Sequence, residues 1–232
     1  EGGWIYDGRC IHKKLQHKTH GIVDIPVLDR QQWRYYNSII SLDQPGAFYY
    51  KVHLVPFGEY LPLRDWLAGV LSFLPVPQSD FTAGLIDQPL LSVAGYPAGT
   101  SICYEIAFGE QLIHALPEAA FLINVSNDAW FGDSLAPHQH QEMARMRARE
   151  TGRYVLRATN TGISAIIDNR GNIIARTRQF ETGVVTAPVV PRKGATPYVR
   201  WGNRPVVILS LLMLLLAPWM FAIRLNHRTP SA

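Results

Sequence analysis

GTSICYEIAFGEQLIHALPEAAFLINVSNDAWFG, residues 99–132, is the stretch that decides the fold. It opens on TSIC, a short apolar strand. IAFGEQLIHAL follows with helical character and stops at Pro117, because proline cannot continue a helix. FLINVS is apolar almost throughout, the pattern of a strand buried on both faces rather than one that alternates toward water. Strand, helix and buried strand in succession point to an α/β arrangement.

The flanks extend the same pattern. Upstream, IVDIPVL and YYNSIISL read as strands, and LPLRDWLAGVLSFL as a short amphipathic helix between prolines. SVAGYPAGTSICY reads as two strands around a Gly-Tyr-Pro turn. Downstream, PHQHQEMARMRARETG is the clearest helix. Pro137 suits its first turn, Gly152 its end, and Met143, Met146 and Glu150 fall at helical spacing. YVLRATN, GISAIID, NIIARTR and GVVTAPV read as four strands, with Asn169-Arg170-Gly171-Asn172 as a hairpin turn. Alternating elements followed by a strand-rich finish imply an α/β or α+β sandwich.

Bulk properties bound the function. The 232 residues are 47% hydrophobic and 17% charged, a globular balance rather than a disordered one. The net charge of +4 is scattered, and the cluster Lys13, Lys14, Lys18 reads as a solvated terminal segment. No basic stripe studded with aromatics argues for nucleic acid. Cys10 and Cys103 make no disulfide framework. Residues 205–223, PVVILSLLMLLLAPWMFAI, carry no charge and have about the length a bilayer core requires. They read as a terminal membrane helix, with Trp201 and Trp219 suited to the interfaces. Residues 1–21 lack the apolar core of a secretory signal. The expected organisation is an irregular segment 1–21, a catalytic domain 22–190, a linker 191–204, the span 205–223 and a tail 224–232.

Candidate chemistry gathers at a few positions. Cys103 stands where a strand passes into a helix, a setting that favours the thiolate. On position alone, a nucleophile and an inert buried thiol are equally good readings. Lys51, in YYKVHLVPFGEY, follows a strand and precedes a stretch that cannot be helical. Near Cys103 it could steady an oxyanion, yet taken alone it reads better as a solvated lysine. His53 and Glu59 share its loop. VSNDAWFG could shape an apolar pocket or be a hydrogen-bonded turn. Asn160 and Gly162 in RATNTGISAIID suggest a turn between strands. His138 and His140 point to different helical faces, and no partner stands at ligand spacing, so no metal is expected.

Together YYKVHLVPFGEY, SICYE, INVSNDAWFG, the PHQHQEMARMRA helix and RATNTGISAIID resemble, in that order, the apolipoprotein N-acyltransferase family of the nitrilase (carbon–nitrogen hydrolase) superfamily. The resemblance runs from about Ile22 to Ile223. It implies a nitrilase-like four-layer αββα sandwich followed by one transmembrane helix, and a Glu-Lys-Cys triad that needs no cofactor. Cys103 would be the nucleophile, Lys51 the oxyanion-stabilising lysine and Glu59 the accessory glutamate. Tyr104 and Glu105 belong to the cysteine motif, the Tyr104 amide as an oxyanion donor, and Trp130 would line the lipid-facing pocket. A fatty acyl chain would pass from a phospholipid to the cysteine, then to the amine of a diacylglyceryl-cysteine lipoprotein. The setting would be a bacterial inner membrane, with the domain on the periplasmic side and the protein a monomer. The family's general-base glutamate has no motif match, since Glu1 lacks a preceding strand. The chain is therefore expected to be the C-terminal part of a longer protein, inactive by itself. The competing expectations are a membrane-anchored non-catalytic remnant and a nitrilase-type amidase.

Overall fold

The structure, a computed structural model, describes residues 21–44, 46–62 and 81–226, with side chains described as far as Pro218. The expected amphipathic helix at 61–74 and nearly all of segment 1–21 lie outside them.

Two sheets form the core. The smaller, β1(Ile22–Asp29)–β2(Arg34–Ser41)–β3(Phe48–Tyr50), is an antiparallel meander. The larger has the order β4(Leu91–Val93), β5(Tyr96–Ile102), β6(Phe121–Ser126), β7(Val155–Thr159), β8(Ala165–Ile167), β9(Ile173–Arg176). Its centre is parallel, β5 with β6 and β6 with β7, and its flanks are antiparallel. The sheets pack face to face through Ile39 and Tyr49 on one side and Ala98, Ile102, Ile123 and Val125 on the other. On the far face of the large sheet lie α1(Gly109–Leu112) and α2(Ala136–Thr151), which bury Leu112, Ala144 and Ala148 against Leu122, Val155 and Ile167. Small alanines let α2 approach the sheet closely. The described residues thus supply helix, sheet and sheet; a second helical layer is not among them.

Several local expectations change. The turn in SVAGYPAGTSICY is Ala94-Gly95, both at positive φ (53° and 78°), while Tyr96 and Pro97 already belong to β5. That is the geometry a two-residue hairpin requires. The helix after Cys103 is broken into a 3₁₀ turn at Cys103–Ala107, α1, and another 3₁₀ turn at Ile113–Ala115. The α2 stripe that faces the core is His140, Ala144, Ala148 and Thr151, whereas Met143 and Met146 are exposed. This helix packs on the sheet with its small and polar residues. GVVTAPV forms no strand. The β8–β9 hairpin does form, and the Asp168 carboxylate accepts from the Arg170 and Asn172 amides inside its turn.

The segment after residue 190 is tied to the domain. Buried Arg153 donates to the carbonyls of Ala119, Pro117 and Gly194. Thr196 caps α3(Pro197–Trp201) by accepting from the Val199 amide. The helix α4(Arg204–Asn226) then runs 23 residues, with Pro218 inside it. Val206 to Leu209 and Leu211 to Leu216 are exposed along it. The expected span at 205–223 extends past the last described side chain, and among the described residues no helix is long and apolar enough to cross a membrane.

Candidate active site

Parallel strands place their C-terminal ends along one edge of a sheet, where ligands of open α/β sheets bind. Here β5, β6 and β7 are in register, Ile102 opposite Val125 and Ser126 opposite Thr159. Cys103, Asn127-Asp128 and Asn160 leave the sheet side by side. Lys51 leaves β3 of the facing sheet at the same end. Between them, among the described residues, lies a cavity of about 750 Å³ lined by Cys103, Lys51, Glu59, Tyr104 and Trp130, and also by Asp24, Asn37, Phe81, Phe131 and His140. Of the residues expected to act, only Glu105 is not in its wall.

Lys51 is not the solvated lysine its sequence setting suggested: it is 1% exposed. A buried ammonium requires a partner. The partner is Glu59, whose two carboxylate oxygens both lie 2.7 Å from Lys51 Nζ. Glu59 is fixed in turn by the Asn37 amide at 3.0 Å and the Val55 backbone amide at 2.8 Å. Glu59 thus holds the Lys51 side chain at the cavity wall.

Glu105 is fully buried and saturated. Its Oε1 accepts from the Val52 and His53 amides at 2.7 and 3.0 Å and from Gln111 Nε2 at 2.9 Å. Its Oε2 accepts from the Ile102 amide at 2.7 Å and the Tyr49 hydroxyl at 3.0 Å. Burial and the adjoining carboxylate push the Tyr49 phenol well above its ordinary pKa, so it stays a donor. One carboxylate therefore ties the loop after Lys51 to the turn that carries Cys103. It is a positioning residue.

Cys103 itself is half-buried and has φ 52°, uncommon for a side chain with a Cβ. This left-handed residue turns the chain from β5 into the 3₁₀ turn. No long helix begins here, so the expected dipole effect on the thiol loses its basis. Instead the Cys103 carbonyl is gripped from behind. It accepts from His140 Nε2 at 3.0 Å and from Asn124 Nδ2 at 3.4 Å. A carbonyl can only accept, so Nε2 carries a proton. His140 Nδ1 lies 3.1 Å from Asp128 Oδ1 and 3.0 Å from an Arg157 nitrogen, and Arg157 also donates to Asp128 Oδ2 at 2.8 Å and to Asn124. Burial alone would raise the Asp128 carboxyl, but hydrogen bonds from His140 and Ser126 and the Arg157 charge bring it down to about 2. Gly162 makes room for this cluster, since a Cβ there would stand 2.1 Å from Asp128 Oδ2.

The rim is of another kind. Trp130 is 75% exposed, and Phe131 and Tyr104, which line the cavity with it, are exposed too. The Tyr104 ring meets Phe108 edge-on, and Phe108 stacks on His53, which spends its Nδ1 on Gln111. His138 and His140 do face opposite ways, exposed and buried. Among the described residues no cluster of three or more His, Cys, Asp or Glu side chains could hold a metal ion.

Sequence reasoning did not single out Asp24, Asn37, Asp128, His140 or Arg157 as parts of this site. Some signal existed. Asp24 interrupts the apolar run IVDIPVL, Arg157 interrupts YVLRATN, and Asp128 directly follows a buried strand. A buried charge demands a partner, as Asp128 and Arg157 find in each other, but the chain order does not say which.

Residues 13–198 match the carbon-nitrogen hydrolase family. Among similar curated proteins, the apolipoprotein N-acyltransferase of Methylococcus capsulatus is 53% identical over 83% of this chain. Those of Nitrosomonas europaea and Pseudomonas syringae are 50% and 45% identical over 78% and 83% of it. The chain spans 37–38% of the length of these relatives. Two solved structures share the fold: a carbon-nitrogen hydrolase from Helicobacter pylori (14% identity, TM-score 0.52, 69% of this chain and 59% of that one) and an amidase from Nesterenkonia sp. (19% identity, TM-score 0.52, 82% and 66%). The sheet pair, the cysteine at the end of β5 and the family match over most of its length agree: the chain belongs to the carbon-nitrogen hydrolase family and has its nitrilase-like α/β fold.

Proposed function

We propose that this chain carries the acyl-transfer half-site of a bacterial apolipoprotein N-acyltransferase. The reading rests on its relatives' names and on one observation: a buried, carboxylate-held Lys51 shares a cavity with Cys103. Cys103 Sγ attacks a phospholipid ester carbonyl, a thioester forms and the lysophospholipid leaves. The acceptor amine of a diacylglyceryl-cysteine lipoprotein then attacks the thioester and the thiolate departs. Dividing the transfer in two suits sulfur, which both attacks and leaves well. Lys51 and the Tyr104 amide face the developing oxyanion in each step. Glu59 holds Lys51 in place and Glu105 keeps the two loops in register. The glutamate that takes the thiol proton, implied by the family resemblance, is not assigned to a residue of this chain.

The apolar rim around Trp130 accepts the acyl chain. Residues 205–223 cross the inner membrane and hold the domain at its periplasmic face as a monomer, so the lipid donor lies within reach. The test is the intact mass of the complete natural protein after incubation with phospholipid vesicles. A fatty-acyl adduct mapping to Cys103, discharged by a diacylglyceryl-cysteine peptide, is the expected result. An unmodified Cys103 in an otherwise folded protein overturns the reading. For the span, Ser231→Cys should resist an impermeant thiol reagent in intact cells, and ready labelling would reverse the orientation.

A further inference from the structure

Asp24 lies in β1, flanked by Val23 and Ile25, in a strand where a carboxylate is disfavoured. It pairs with Ile39 across β2, while its neighbour along the same face of β1, Pro26, pairs with Asn37. Asp24 and Asn37 are thus diagonal neighbours on one face of the sheet. Asn37 is the residue that fixes Glu59, so Asp24 stands beside the Lys51–Glu59 pair and lines the same cavity as Cys103. Among the described residues it makes no hydrogen bond or ion pair, and its side chain is open to the cavity.

Among the described residues, the other groups in reach are spent. The charged residues that bear on Asp24 are Lys51 and Glu59, which are bonded to one another. Of the remaining titratable residues in the wall, both nitrogens of His140 are occupied by Cys103, Asp128 and Arg157. Cys103 is the nucleophile and Tyr104 lies at the exposed rim. Glu105 is saturated by five donors. Asp24 alone among the carboxylates in the wall has no partner for either oxygen among the described residues.

We infer that Asp24 receives the ammonium group of the acyl acceptor, takes its surplus proton and thereby frees the amine to attack the Cys103 thioester. The inference rests on the acyl-transfer reading above and adds the residue that recognises the second substrate. An α-amine titrates near about 8 and enters mostly as a cation, which cannot attack a carbonyl. The Asp24 carboxylate accepts one proton from that cation. The nitrogen lone pair forms the C–N bond, the C–S bond breaks, and a second nitrogen-bound proton passes to the leaving sulfur. Asp24 then releases its proton to solvent. Crowding by protein atoms around a side chain still open to the cavity raises its carboxyl to about 6, with Lys51 opposing and Glu59 assisting the rise. That value suits a base that works near neutrality.

The experiment separates the two half-reactions in the complete protein, in phospholipid micelles, with the wild type and Asp24→Asn. Thioester formation is read by intact mass, and its discharge by a diacylglyceryl-cysteine peptide is followed in single turnover from pH 5 to 9. Hydroxylamine, largely uncharged at neutral pH, is the control nucleophile. Asp24→Asn should form the thioester at the wild-type rate and discharge it to the peptide about 100-fold more slowly. Its peptide-transfer rate should fall from about pH 8 downward with the free amine, in place of the wild-type plateau that ends near pH 6, while discharge to hydroxylamine stays normal. Peptide transfer within threefold of wild type overturns the inference, as does a variant that cannot form the thioester. A wild type that forms no thioester sinks the acyl-transfer reading itself. If Asp24→Asn does not fold, Asp24→Ser carries the same readouts, and unfolding of both assigns Asp24 a structural role instead.

Discussion

The two sides of the cavity are built by opposite rules. Behind Cys103 nearly every polar atom has a partner: Glu105 holds five donors, and Asp128 is gripped by Ser126, His140 and Arg157. In front, Trp130, Phe131 and Tyr104 line the cavity and stand exposed. A dense polar network, in which Arg157 Nε is the unpaired exception among the described residues, fixes the backbone behind Cys103, because a shift breaks buried hydrogen bonds. An exposed apolar rim can adapt to a flexible acyl chain at small cost. Substitutions on the two sides should therefore divide between those that end chemistry or folding and those that leave the fold and change substrate capture.

The largest effect belongs to the nucleophile. Cys103→Ala in the complete protein should abolish acyl transfer without changing the melting temperature by more than a few degrees, while Cys10→Ala stays near wild type. Residual acyl transfer by Cys103→Ala, followed with labelled phospholipid, would remove Cys103 from its role.

Glu105→Ala comes next. It strands donors from Val52, His53, Ile102, Tyr49 and Gln111, and each buried donor left unsatisfied costs about 1–3 kcal/mol. Water entering the space will satisfy part of them, so we expect destabilisation of roughly 3–5 kcal/mol, read by chemical denaturation, and loss of activity. A loss below about 1 kcal/mol would mean that the two loops hold their register without this carboxylate.

Gly162→Ala should be milder, on the order of 2–3 kcal/mol, because the new methyl displaces Asp128 rather than removing it. The Asp128 cluster also predicts acid sensitivity. Its folded pKa, about 2, lies below the ordinary 3.8, so its contribution is present above about pH 4 and is lost as pH falls toward 2. Asp128→Asn should flatten that part of the stability curve; an unchanged acid transition would show that the cluster is not ionic. The smallest change in stability is expected at the rim. Trp130→Ala should alter folding stability by less than about 0.5 kcal/mol, since the ring is mostly exposed. Acyl transfer from long-chain donors should fall roughly tenfold, an amount typical of one lost apolar contact. An equal fall for a short, soluble ester would place Trp130 in the chemistry and erase the contrast between the two sides.

Legibility in the sequence followed the same division. Most of the strands could be read: FLINVS is apolar because it is buried throughout, and IVDIPVL is rich in β-branched residues. The positions of Cys103, Lys51 and Glu59 were visible in their motifs. The state of Lys51 was not, since YYKVHL reads the same whether the ammonium meets water or Glu59. The helix α2 was legible, but its buried face was not, because its core contacts are alanines and a histidine, small or polar residues that hydrophobic periodicity does not mark. The helix after Cys103 was misread because the chain there is shaped by Glu105 binding backward to Ile102 and across to Val52 and His53.

By itself, then, the sequence determined the order of most strands, the turn at 169–172 and, through its motifs, Cys103 as the candidate nucleophile. Those depend on side-chain periodicity, local backbone preference and short motifs, all of which are written along the chain. Only the tertiary structure decided which carboxylate serves which cation. It pairs Glu59 with Lys51 and Asp128 with Arg157, ties Glu105 to two loops and leaves Asp24 facing the cavity. Partner choice among buried charges depends on distances of a few ångströms between residues up to 53 positions apart, and chain order does not encode those distances.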